Sequence, residues 1–209
     1  RRRSEKRKKN RKISFFELSG EVFEHFLEIR EGLKDKEDLK DEELERRIEI
    51  EKSFRTIELL LGSNNRIIHF FFIDYDKELS NLKKRDSKSQ ANYLSAAGTY
   101  FQSNNNIFSS KTNAIYFIIT KADTIDGENK VEIAADFLRE HFGNFYTVIE
   151  GRCEEHSIKK PEIKLFSIGD VYFNRISKID YKYSKNIVET ILNEVHPEEN
   201  NWFKKILSK

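Results

Sequence analysis

The stretch N-A-I-Y-F-I-I-T-K-A-D, from Asn113 to Asp123, decides how the chain is expected to fold. Its apolar run, bounded by polar residues, predicts a strand covered on both faces, as in a parallel α/β sheet. Ligands in such sheets bind just outside the carboxyl ends of the strands. Thr120, Lys121 and Asp123 therefore stand where a binding site is expected. The plainer reading of the same residues is an aspartate capping the next turn beside an exposed lysine.

Outward from this stretch, strands and helices alternate. Upstream, Arg66–Asp74 (R-I-I-H-F-F-F-I-D) predicts a second strand and Lys12–Phe16 (K-I-S-F-F) a shorter one. Val22–Leu33 has a broad apolar helical face, and Leu44, Ile48, Phe54, Ile57 and Leu61 keep helical step up to Gly62. Glu78–Arg85 is polar, and Ser89–Phe101 predicts a helix. Downstream, a helix is expected over Lys130–Phe142, an ambiguous segment over Asn144–Cys153, a last strand at Ile163–Phe166 and a helix over Tyr183–Val195. Such alternation predicts a doubly wound, mostly parallel sheet with helices on both faces and right-handed crossovers. Each strand ends in a polar cluster, E-L-S-G, D-Y-D, T-K-A-D or S-I-G-D, and these would align along one edge. A phosphate or nucleotide site is expected there.

Composition sets the bounds. With 209 residues, 35% charged and 37% apolar, the chain suits one globular α/β domain with polar helices. No run of 18 or more apolar residues exists, so no membrane span is expected. Charge fills the amino terminus without an apolar segment behind it, so no signal peptide is expected either. The single Cys153 fits a reducing, cytoplasmic setting. Residues 1–12 hold nine Lys/Arg and one Glu, while the remainder is mildly acidic. No aromatic residue interrupts this basic arm, which argues against nucleic-acid binding and for a solvated arm. The organisation expected is a basic arm (1–12), an α/β domain (13–196) with a charged helical extension (34–61), and a short amphipathic tail (197–209).

Thr120-Lys121-Ala122-Asp123 resembles the guanine-specificity motif, Asn/Thr-Lys-x-Asp, of the P-loop GTPases. In that family the Asp accepts two hydrogen bonds from the guanine edge and the Lys packs along the nucleotide. Two further clusters follow the family's order. Glu17-Leu18-Ser19-Gly20 sits where it has Asp-x-x-Gly, whose acid holds Mg²⁺ through water and whose Gly amide senses the γ-phosphate. Glu17 is one methylene longer than that Asp, and Glu21 occupies the place of a water-positioning Gln or His. Ser167-Ile168-Gly169 resembles the last motif, Ser-Ala-x, whose backbone amide contacts the guanine carbonyl. The pattern is most similar to the divergent bacterial double-GTPase type. The resemblance implies a guanine-nucleotide switch domain that binds GTP or GDP with Mg²⁺. Slow hydrolysis involving Glu17 and Glu21 is expected where an upstream phosphate loop exists.

That resemblance covers residues 13–195 and begins at the family's third strand. The stretch G-x-x-x-x-G-K-[ST] is absent from the sequence, and so is any Met. The family's first strand lies between those that Ile13–Phe16 and Arg66–Ile73 would form. An upstream segment, or a protein partner, is therefore expected to complete the sheet. One alternative is a degenerate GTPase fold acting as a scaffold. Another is a Mg²⁺-dependent phosphohydrolase, because F-F-F-I-D-Y-D resembles the Asp-x-Asp motif of the haloacid dehalogenases. Asp74 and Asp76 would then act with Thr120, one of Lys159, Lys160 or Lys164, and Gly169-Asp170. Cys153 and His156 have a ligand-like gap without a second pair, and His69 is expected in the core.

Overall fold

A computed structural model describes residues 14–15, 17, 22–23, 40–61, 66–84, 89–103, 107–108, 111–172, 175–179 and 181–195. The elements run α1 (Asp41–Leu61), β1 (Ile67–Asp74), α2 (Tyr75–Lys84), α3 (Gln90–Ser103), β2 (Thr112–Thr120) and a 3-10 turn (Ala122–Thr124). After them come α4 (Lys130–Glu155), β3 (Glu162–Leu165), β4 (Gly169–Tyr172), β5 (Arg175–Ile179) and α5 (Tyr181–Val195). Strands β1, β2 and β3 form one all-parallel sheet in that order. The class is α/β, as the alternation predicts. Strands β4 and β5 pair antiparallel in a separate ribbon.

Strand β2 is central, and its sequence explains why. Every residue from Ala114 to Ile119 is buried, which a strand achieves only with neighbours on both edges and helices on both faces. Ile115, Phe117 and Ile119 look toward Phe101 of α3 and Leu138, Phe145 and Ile149 of α4. Ala114, Tyr116 and Ile118 look the other way, onto Ile187 of α5. Each Ile or Phe side chain among these contributes about 1.5–3 kcal/mol on burial, so β2 supplies much of the core. The carboxylate of Glu194 fastens α5 to it, accepting from Tyr116 Oη at 2.7 Å and Asn113 Nδ2 at 3.0 Å. Gly98 lets α3 approach α4, since a Cβ there would sit 3.3 Å from Cδ2 of Phe145. Helix α1 adds Phe54 and Ile57, with Phe54 packed on Tyr100 at a centroid distance of 4.9 Å.

Strand β1 is less covered. Phe72 is 57% exposed, and Phe70 stacks on Tyr116 from the α5 side. At its carboxyl end the outer edge is occupied by a side chain. The Gln90 amide accepts from Asp74 N–H at 2.8 Å and donates to the Phe72 carbonyl at 3.4 Å. The buried Glu78 carboxylate caps α3 directly, accepting from the amides of Gln90 (2.8 Å) and Ala91 (3.1 Å).

Several expectations are corrected. Ser14 and Phe15, the described part of the strand expected at Lys12–Phe16, belong to no strand, and Phe15 is 77% exposed. Among the described residues no strand lies beside them to share backbone hydrogen bonds. The helix expected to end at Phe142 continues through the ambiguous segment to Glu155. Phe142 leaves helical geometry (φ −123°, ψ 18°) next to Gly143, a poor helix former, and the helix resumes beyond the kink. The S-I-G-D cluster leads into the β4–β5 ribbon, which alternation of single strands and helices does not foresee. Of the helix expected at Val22–Leu33, Val22 and Phe23 are described and are helical. The basic arm and the tail lie outside the described residues. Among the described residues no helix is long and apolar enough to cross a membrane.

Candidate functional site

The parallel register brings the strand ends level. Asp74 pairs with Thr120, and Ile119 with Leu165. Thr120 closes β2 by donating its hydroxyl to the Ile73 carbonyl at 3.2 Å, which ties the ends of β1 and β2 together. The ladder to the next strand runs on past its formal end: Phe166 N–H donates to Ile119 O at 2.9 Å and Ala122 N–H to Phe166 O at 3.1 Å. The segment carrying Lys121–Asp123 is thus bonded to the one carrying Ser167.

Beyond Thr120 the backbone turns through Lys121, whose φ of 58° and ψ of 34° lie in the left-handed region. A non-glycine residue there stores strain of order 1 kcal/mol, and such strain concentrates at functional sites. The step sends the chain into the 3-10 turn and leaves Lys121 exposed. Thr124 holds the turn by donating its amide (2.9 Å) and hydroxyl (2.7 Å) to the Lys121 carbonyl. Ala122 is fully buried beneath it.

Asp123 is half-buried. Its Oδ1 accepts a 2.5 Å hydrogen bond from the hydroxyl of buried Ser167. Ser167 Oγ in turn accepts from the Gly169 amide at 3.1 Å, and Gly169 adopts φ 125°, open to glycine at little strain. Ile168 is exposed between them. Four of the residues singled out by sequence, Thr120, Lys121, Asp123 and Ser167, therefore share one edge of the sheet with Ile168. The second carboxylate oxygen of Asp123 has no protein donor among the described residues. A carboxylate so placed accepts hydrogen bonds from a planar N–H donor pair, and an exposed Lys beside it supplies positive charge and an aliphatic stem.

The remaining candidates are dispersed. Glu17 is exposed, and Gly20 and Glu21 lie outside the described residues. No cluster of three or more His, Cys, Asp or Glu side chains suited to a metal forms among the described residues. Asp74 accepts from the Lys77 amide at 3.0 Å and caps α2, while Asp76 is exposed in its first turn. Lys159 and Lys164 pair with Glu162, and Lys160 lies 3.7 Å from Glu150. His69 Nε2 lies 3.3 Å from Thr112 Oγ1 with its ring on Phe108, and burial lowers its pKa to about 4. Burial also raises the Cys153 thiol to about 11, with Glu150 and Glu154 adding to the effect. A hollow of about 340 Å³ between the carboxyl ends of α3 and α4 is bordered by Arg152, which donates to the carbonyls of Phe101 and Gln102. These helix ends lead into β2 and β3, so the hollow belongs to the opposite edge from Asp123.

Sequence reading did not foresee Lys130, Gln90 and Glu78. Lys130 Nζ donates to the carbonyls of Ala122 (2.9 Å) and Asp123 (3.3 Å). Its signal was available: a basic residue opening a helix opposes the helix dipole. No protein-family model, no characterised protein and no solved structure matches the chain.

Proposed function

We propose that this chain carries the base-recognition part of a guanine-nucleotide-binding domain of the P-loop GTPase kind. One observation supports the reading above the others: the Ser167 hydroxyl meets the Asp123 carboxylate at 2.5 Å at the carboxyl ends of neighbouring parallel strands. Two short motifs, each weak alone, occupy one place in the order that the family requires. In this reading Asp123 accepts from the N1–H and exocyclic amine of guanine, with Ser167 holding one oxygen. Adenine offers a lone pair at N1 and no amine at C2, so it would leave the carboxylate facing an acceptor. Lys121 lies along the base, and the backbone around Ile168 faces the guanine carbonyl.

The strand expected to flank β1 belongs to the same proposal. The near-continuous apolar run Ile67–Ile73 suits a strand with neighbours on both edges, and the exposed Phe72 supports a missing cover. Such a segment, supplied upstream or by a partner, would bring the phosphate loop. Bound GTP with Mg²⁺ would then supply the phosphoryl chemistry, and Glu17, Gly20 and Glu21 are the residues of this chain assigned to that side.

Equilibrium competition against a fluorescent GDP, on the full-length gene product, tests the reading. GTP and GDP are expected to compete and ATP is not. Asp123→Asn is expected to move the preference from guanosine to xanthosine nucleotide, because the amide donates where xanthine presents an oxygen. Equal competition by GTP and ATP, or a preference unmoved by Asp123→Asn, would overturn it.

A further inference from the structure

We infer that Lys130 is a positioning residue for Asp123, a role that rests on the base-recognition reading above. Lys130 is the first residue of α4, where the helix presents the positive end of its dipole and an ammonium group is unfavourable. Its head turns back onto the carbonyls of Ala122 and Asp123 at 2.9 and 3.3 Å. Charge-assisted bonds to both offset that placement.

The effect on the turn is specific. The Lys121 carbonyl is already held by Thr124, and the Ala122 carbonyl also receives the Ile125 amide at 3.4 Å. With Lys130 added, three consecutive carbonyls are bonded, and the peptide planes on both sides of Asp123 are pinned. Ser167 then orients the carboxylate itself. Lys130 thus sets the backbone half of the geometry and Ser167 the side-chain half. A carboxylate meeting two N–H donors at once tolerates displacement of only about 0.5 Å and 10–20°. Strain at Lys121 makes the pin necessary, since a turn entered through left-handed geometry relaxes when released.

The test reads selectivity, which a purely stabilising contact would not move. GDP and ADP compete for fluorescent GDP on the full-length protein, with thermal melting followed in parallel. Lys130→Met keeps the aliphatic stem and removes the donors. The GDP-over-ADP ratio is expected to fall about tenfold, the effect of one charge-assisted hydrogen bond. Lys130→Arg is expected to keep most of the ratio. If Lys130→Met does not fold, Lys130→Gln serves, with one donor group in place of the ammonium. The inference is overturned if the ratio survives loss of the ammonium while Asp123→Ala abolishes it, and then the base reading stands alone. Equal loss in Lys130→Met and Lys130→Arg overturns it too. A wild-type protein without preference for GDP over ADP sinks both.

Discussion

Two aspartates close two neighbouring strands, and the backbone that follows gives them different chemistry. Asp74 ends β1 and is followed at once by α2, so its carboxylate caps the helix through the Lys77 amide. Asp123 comes after a left-handed step at Lys121 and sits in a three-residue turn with no long helix to cap. Its carboxylate reaches across to Ser167, just past the end of β3, and keeps an oxygen available. The same residue type at the same sheet edge caps a helix in one place and, in the proposed function, accepts a base in the other. The β1 end is a packing junction, knit by Asp74, Glu78 and Gln90, and the β2 end is a held, half-open acceptor.

This contrast can be broken by measurement. The largest effect on stability is expected for Glu78→Ala, which orphans the amides of Gln90 and Ala91 at a buried helix start. Chemical denaturation should show a loss of about 3 kcal/mol, with the nucleotide preference of the folded fraction intact. A change in preference at equal folding would mean that the β1 end also shapes the site.

Next comes pH. His69 in β1 stays neutral down to about 4, whereas an unfolded His protonates near 6.5, so the unfolded state binds more protons between those values. Stability should be full above pH 6.5 and decline as pH falls toward 4, by up to roughly 3 kcal/mol. His69→Leu should flatten that part of the profile, measured by melting between pH 4 and 8. An unchanged slope would move the sensitivity to another group.

The smallest expected effect sharpens the comparison most. Asp74→Ala should cost about 1 kcal/mol of stability, as for any lost helix cap, and leave guanine preference alone. Asp123→Ala should cost about as much or less and remove the preference. Reversal of that pattern would exchange the roles assigned to the two strand ends.

Much of the fold was legible because parallel strands announce themselves. Ile67–Ile73 and Ala114–Ile119 are apolar on both faces, and their polar ends follow within a residue or two. The meeting of Thr120, Lys121, Asp123 and Ser167 at one sheet edge was legible for the same reason, since ends of adjacent parallel strands meet. What escaped was long-range or irregular. Gln90 reaches Asp74 across 16 residues and Glu78 reaches Gln90 across 12, and no local pattern encodes either contact. Helix α4 was expected to end at Phe142, beside the poor helix former Gly143, yet the helix bends there instead of stopping.

The amide of Gln90 also acts as a stop for lateral growth of the sheet. It already occupies the outward-facing carbonyl of Phe72 and amide of Asp74. Any strand laid against β1 can zip alongside Ile68 and Phe70 but must displace Gln90 to run farther. The sheet is therefore extensible at its base and closed at its rim, so an added strand is brought to a halt before it overruns the edge where Asp123 waits.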